Sequence, residues 1–219
     1  MTDRRLALFD MDRTLVRKDT ATLLTRYRRE TGQAELMDTL RVGYWVLQYG
    51  LGIADAEGIA KKVLKGYRGV PEAQLFADGL ACFDAYVFEH ISEHARRAVR
   101  RHQSAGDFVA IVTSSTRYTT EPIARELGVE CFACSELEVD GAGCLTGRHI
   151  APLCYGPGKL ERVQKVLEVS GTALESAVFY SDSVTDLPLL ERVGTPIVVN
   201  PDFRLRRIAR QRAWRVEHW

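Results

Sequence analysis

The run Leu6-Ala7-Leu8-Phe9-Asp10-Met11-Asp12-Arg13-Thr14-Leu15 decides the fold. Four apolar residues in succession, with no polar alternation, mark a strand covered on both faces, as in a parallel sheet. The acids directly after it stand at its carboxyl end, where open α/β sheets bind their ligands. Three further runs repeat the pattern, Phe108 to Val112, Ala177 to Tyr180 and Pro196 to Val199. Between them lie helical spacings, Glu121 to Leu127 before Gly128, Gly158 to Val169 before Gly171, and Asp186 to Val193 before Gly194. Alternating strands and helices predict an α/β fold with a parallel sheet and helices on both faces.

The span from Asp10 to Phe108 is too long for one crossover helix, so a second unit is inserted there. Residues 17–87 read as an all-helical cap, with helices over Thr20 to Thr31, Ala34 to Gly50, Asp55 to Tyr67 and Pro71 to Val87. Residues 1–16 and 88–219 then form the core. Ahead of the second strand, Ile91, Ala95, Ala98 and Val99 recur at helical spacing, and Arg96, Arg97, Arg100 and Arg101 take the opposite, solvated face. Glu136 to Val139 and Cys144 to Arg148 flank Asp140-Gly141-Ala142-Gly143 as a short hairpin.

The chain has 219 residues, 46% hydrophobic and 27% charged, which excludes a disordered chain. Thirty Lys and Arg against 29 Asp and Glu give +1, so no chain-wide basic field exists to hold nucleic acid or an anionic membrane. The arginine-rich segment from Asn200 is read as a solvated helix face, with Leu205, Ile208 and Trp214 packing on the sheet. No apolar stretch is long enough to span a bilayer, and the N-terminal run is too short for a signal peptide, so a cytoplasmic protein is expected. Five cysteines form an odd set without an export signal and are read as reduced, buried thiols.

Three polar clusters follow the strands: Asp10-Met11-Asp12, Thr113-Ser114-Ser115 and Ser181-Asp182-Ser183-Val184-Thr185-Asp186. They converge on one crevice if the sheet is parallel. Asp10 and Asp12 are two apart on an extended segment and face one side. Close carboxylates need a cation to ionise together, and Asp182 and Asp186 add hard oxygens suited to Mg²⁺. Thr113 and the amides after it suit a phosphate, with Lys159 adding a point charge. Rival readings are a solvated turn for the first acids, a solvated lysine for Lys159 and a capping box for Ser183-x-x-Asp186.

These four motifs in order, Asp10-Met11-Asp12-Arg13-Thr14, Thr113, Lys159 and Asp182 with Asp186, resemble the haloacid dehalogenase-like hydrolases. The helical insert resembles the cap of their phosphoserine-phosphatase-like branch. The resemblance implies a Rossmann-like core, a cap of the first class and Mg²⁺-dependent hydrolysis of a small-molecule phosphomonoester through an aspartyl-phosphate. Asp10 is then the nucleophile, and Asp12 the acid and base whose backbone carbonyl ligates the metal. Thr113 and Lys159 hold the phosphoryl oxygens, Asp182 ligates Mg²⁺ and Asp186 supports it. Arg13, where the family often has a small residue, either touches the leaving group or reaches solvent, and Ser114 joins the substrate contacts. Asp19, nine positions after the nucleophile, matches a cap acid that meets a substrate amine; it reads equally as an N-cap. Arg68 is a possible carboxylate-binding arginine. Without one, an amine lacking a carboxylate fits better, so histidinol phosphate stands beside phosphoserine as a substrate. A phosphotransferase and a phosphoacceptor signalling protein without turnover are the alternatives.

Overall fold

The computed structural model describes residues 5–33 and 56–219. Its strands are β1 (Leu6–Phe9), β2 (Phe108–Thr116), β3 (Cys131–Val139), β4 (Leu145–Ile150), β5 (Val178–Ser181), β6 (Thr195–Val199) and β7 (Arg215–Glu217). They form one sheet in the order β4-β3-β2-β1-β5-β6-β7, parallel throughout except for the β3–β4 hairpin. The central strand β1 explains its own composition. Leu6 and Leu8 enter the core on one face and Ala7 and Phe9 the core on the other, so all four positions are apolar.

Helices cover both faces. On the Phe9 side, α4 (Glu93–Ser104) packs Ala95, Ala98 and Val99, and α5 (Arg117–Glu126) packs Ile123 and Ala124. On the Leu8 side lie Val163 and Val166, Leu189 and Leu190, and Leu205 and Ala209 of α9 (Phe203–Gln211). In that last helix Ala209, rather than Ile208, enters the core beside Leu205. Arg97, Arg100 and Arg101 of α4 are exposed as expected. Arg96 departs from that face by pairing with Glu93 and Glu126.

The insert supplies α1 (Thr20–Glu30), α2 (Ala56–Lys65) and α3 (Glu72–Cys82), the last running on as a π turn through Val87. The helix expected over Ala34 to Gly50, and Asp55, lie outside the described residues. After α2 the backbone runs along the hairpin, with Gly69 donating to Leu145 O at 2.8 Å, Leu145 to Val70 O at 2.9 Å and Glu72 to Gly143 O at 2.9 Å. Several bounds differ from expectation for local reasons. The helix expected from Glu121 begins at Arg117, because the Thr119 and Thr120 hydroxyls bond back to Thr116 O. The helix expected over Gly158 to Val169 divides at Val163 into α6 (Gly158–Arg162) and α7 (Gln164–Ser170). The one expected from Asp186 shrinks to a 3-10 turn, Val184–Asp186, and the single turn α8 (Leu187–Leu190). β3 begins at Cys131, five residues ahead of the expected hairpin strand, since its first half pairs in parallel with β2.

All five cysteines are free thiols; Cys82, Cys134 and Cys154 are buried as expected, whereas Cys131 and Cys144 are only half-buried. Burial pushes the Cys154 and Cys82 thiols up to about 12 and the Cys134 thiol to about 11. Because the thiolate is the reactive form, these three should resist iodoacetamide in the native protein at pH 7.5 and react on unfolding in guanidinium. Mass spectrometry of the labelled chain checks this. Rapid native labelling of Cys154 would contradict the packing described.

Candidate active site

The carboxyl ends of β1, β2 and β5 deliver the expected side chains to one place. Asp10 follows β1, its amide donating to Tyr180 O of β5 at 2.8 Å. Lys159 enters from the first turn of α6. That turn approaches the chain before it so closely that a Cβ on Gly158 would lie 2.1 Å from Leu153 O. The Lys159 ammonium is 2% exposed and sits 2.7 Å from Asp10 Oδ1 and 2.8 Å from the Asp186 carboxylate. Lys159 is therefore no solvated lysine. Ser181 donates to Asp186 Oδ2 at 2.7 Å, so Asp186 is tied to the protein through two partners.

Asp12 is held differently. Its Oδ1 accepts from Thr20 N at 2.7 Å and its Oδ2 from Ser115 Oγ at 2.9 Å, while Ser115 Oγ and Thr20 Oγ1 lie 3.1 Å apart. The two aspartates line a common recess with Arg13, Asp19, Ser114, Asp182 and Asp186. Thr113 is buried, and its hydroxyl accepts from Ser115 N at 3.1 Å. Among the β2 residues it is Ser114 that lines the recess. Arg13 adopts φ 59°, a left-handed conformation strained for a side-chain-bearing residue, and its exposed side chain flanks the acids.

Electrostatics separate the two leading carboxyls. Burial raises Asp10 to about 6, partly opposed by the Lys159 charge. Burial, with Asp19 and Asp10 nearby, raises Asp12 to about 7. Asp182 is raised well above the carboxylate range by burial and then by Asp10 and Asp186. Burial alone would depress the Lys159 ammonium, but Asp10 and Asp186 outweigh it and hold the group above its usual value. The recess thus gathers more buried negative charge than Lys159 neutralises, and its donors are all hard oxygens. That chemistry fits a small divalent cation. Among the described residues no three His, Cys, Asp or Glu side chains are arranged as a ready-made ligand cluster. Asp186 faces Lys159 and Ser181, and the Asp12 carboxylate faces Ser115 and Thr20.

Asp19 performs the N-cap role at α1, accepting from Thr22 N at 3.0 Å through Oδ1, and lines the recess as well. The two readings of this residue coexist. Arg68 is exposed, its Cβ 3.2 Å from where a Cβ on Gly147 would stand in β4, and it does not line the recess. Three positioning residues escape sequence reasoning. Ser115 and Ser181 orient Asp12 and Asp186, and Asp202 caps α9 through Oδ1 while its Oδ2 accepts from Val184 N at 2.6 Å. The Asn200-Pro201-Asp202 stretch was the available signal for the last of these.

The profile of the haloacid dehalogenase-like hydrolases matches residues 7–191, and the chain belongs to that family. It is a phosphatase of the phosphoserine-phosphatase-like branch. A histidinol-phosphatase of Neisseria meningitidis is 30% identical over 97% of this chain and 98% of its own. A phosphoserine phosphatase of Mycobacterium tuberculosis is 31% identical over 96% of this chain and 69% of its own. A crystal structure of a Bordetella pertussis protein of unknown function superposes with a TM-score of 0.87 and 35% identity, covering 98% of both chains. Among the described residues no helix is long and apolar enough to cross a membrane.

Removing the buried cation should expose what it compensates. Lys159→Met should destabilise the fold by about 3–5 kcal/mol at pH 8 in chelator, because two buried carboxylates lose their partner. Burial raises Asp10, so the folded variant binds a proton there more readily than the unfolded chain does, and the loss should shrink at pH 5. Urea unfolding at both pH values measures it. Unchanged stability at pH 8 would show that the ammonium is not holding the acids.

Proposed function

We propose that this chain is a Mg²⁺-dependent phosphatase that hydrolyses a small, amine-bearing phosphomonoester through a phosphorylated Asp10. The observation that carries the reading is the unequal treatment of two neighbouring carboxyls. Lys159 lies 2.7 Å from Asp10 and opposes the burial that raises it, whereas Asp12 is held by the neutral donors Thr20 N and Ser115 Oγ and burial raises it without that opposing contact. A nucleophile backed by a cation beside a carboxyl able to hold a proton is the division that the reaction needs.

An Asp10 oxygen attacks phosphorus, forming an Oδ–P bond as the P–O ester bond breaks. Asp12 transfers its proton to the departing oxygen, and the alcohol leaves. Water then attacks phosphorus, Asp12 takes its proton back, and phosphate leaves with Asp10 restored. Lys159 and Ser114, which line the recess, together with the adjoining Thr113, are assigned to the phosphoryl oxygens as their charge redistributes. Mg²⁺, held by Asp10, the Asp12 carbonyl and Asp182 with support from Asp186, would neutralise charge on the phosphoryl group. Asp19, which lines the recess, is assigned to the substrate amine; two relatives named as a histidinol-phosphatase and a phosphoserine phosphatase support that reading. Residues 17–87 act as a cap over this chemistry.

Phosphate release should require Mg²⁺, stop on chelation, and fall at least about 10³-fold in Asp10→Asn. Asp19→Asn keeps an N-cap but removes the charge. It should raise KM about tenfold for phosphoethanolamine, histidinol phosphate and phosphoserine, and leave glycerol phosphate unaffected. Equal KM values for wild type and Asp19→Asn on every ester would remove the amine from the assignment. Transfer of phosphate to an acceptor other than water, or a stable phospho-Asp10 without release, would replace the hydrolase reading.

A further inference from the structure

Beside the acid recess, and sharing Asp12, Asp19 and Ser114 with it, opens a second cavity of about 310 Å³. Its walls are mainly apolar, with Leu24, Val63, Leu75, Tyr118 and Leu137. Such a wall has no counterpart in a serine body, which carries no apolar group. One charged donor stands among these side chains. Ala21, Leu24, Thr25 and Arg28 recur at helical spacing and turn one face of α1 to the cavity. Arg28 lies seven residues, about 10 Å of helix, beyond Ala21 at the catalytic end.

The Arg28 guanidinium lies over the Tyr67 ring, 4.6 Å from its centroid. Its Nε is buried and has no hydrogen-bond partner. Buried donors are nearly always satisfied, and a guanidinium cannot relieve the deficit by losing its proton. The other charged residue toward that end, Asp78, already accepts from Gln74 at 2.9 Å and Gln33 at 3.3 Å. Arg28 also lines the cavity, and a guanidinium held over an aromatic ring can present its outer N–H groups to a planar acceptor there.

We infer that Arg28 is a specificity residue for the leaving group. It receives a planar hydrogen-bond acceptor that an apolar body carries away from the ester and its amine. The inference deepens the phosphatase reading and rests on it for the ester end. Among amine-bearing esters, histidinol phosphate has this layout through its unprotonated ring nitrogen. Phosphoserine carries its acceptor beside the amine, and phosphoethanolamine has none.

The test compares wild type, Arg28→Ala and Arg28→Lys at pH 8 on these three esters. Arg28→Ala should raise KM for histidinol phosphate at least tenfold and change kcat less than threefold, as expected when a binding contact away from the reacting bond is lost. Phosphoethanolamine should keep its kcat/KM within twofold. Arg28→Lys should restore part of the histidinol phosphate KM. Equal losses on all three esters would make Arg28 a structural residue, and a selective loss on phosphoserine would place the acceptor near the amine; either overturns the inference. A calorimetric titration with histidinol, which carries no phosphate, stands apart from turnover. Tenfold weaker binding to Arg28→Ala supports the inference even if no ester is hydrolysed, and equal binding overturns it. Failure of the phosphatase reading appears separately, as wild-type inactivity on every ester.

Discussion

The Lys159 ammonium, enclosed between Asp10 and Asp186, is the contact on which the rest of the site depends. An ammonium at 2% exposure is tolerable only with carboxylates in direct contact, and those carboxylates are tolerable only with a cation between them. Three elements distant in sequence meet there: the end of β1, the start of α6 and the loop after β5. Because each charge is costly without the others, the contact ties the three elements together. The same contact makes Asp10 unlike Asp12, which lies outside the ammonium's direct reach and is held by neutral donors instead.

How far the sequence reveals such a site depends on whether the cause is local. Leu6 to Phe9 could be read as a covered strand because both faces of β1 are buried in separate cores. Asp10, Asp12 and Asp182 could be placed because ligand residues gather at the carboxyl ends of parallel strands, whereas Lys159, in the first turn of a helix, could be placed only through the family resemblance. The serines at positions 115 and 181 fall in the same strand-end clusters, but nothing in the sequence marks which acid each one holds. Their value lies in the acid each one meets, and for Ser115 and Asp12 that partner is 103 residues away. β7 was missed for a similar reason. Arg215-Val216-Glu217 has no strand signature of its own and is a strand because β6 offers it an open edge.

In the proposed reading, Asp19 and Arg28 let one helix serve two ends of a site. The N-cap geometry that starts α1 also sets a carboxylate at the mouth of the acid recess. The helix then carries Arg28 along the cavity wall at a distance set by its pitch. Two polar groups at a fixed separation on one rigid element act as a ruler, and the apolar side chains between them define what lies along it. Specificity of this kind is encoded by spacing on a helix, so it is invisible to a reading that looks for motifs at strand ends.

Asp202 carries a further consequence. One of its oxygens starts α9, and the other holds the backbone at Val184, two residues after Asp182. The Asp202 amide in turn donates to Asp182 O at 2.9 Å. The acid cluster is therefore closed by a clasp that follows Asp10, Lys159, Asp182 and Asp186 in the chain. During synthesis from the ribosome these four residues emerge before the one that ties down the loop of Asp182 and Val184. In a nascent chain that loop lacks its tie until the last segment docks.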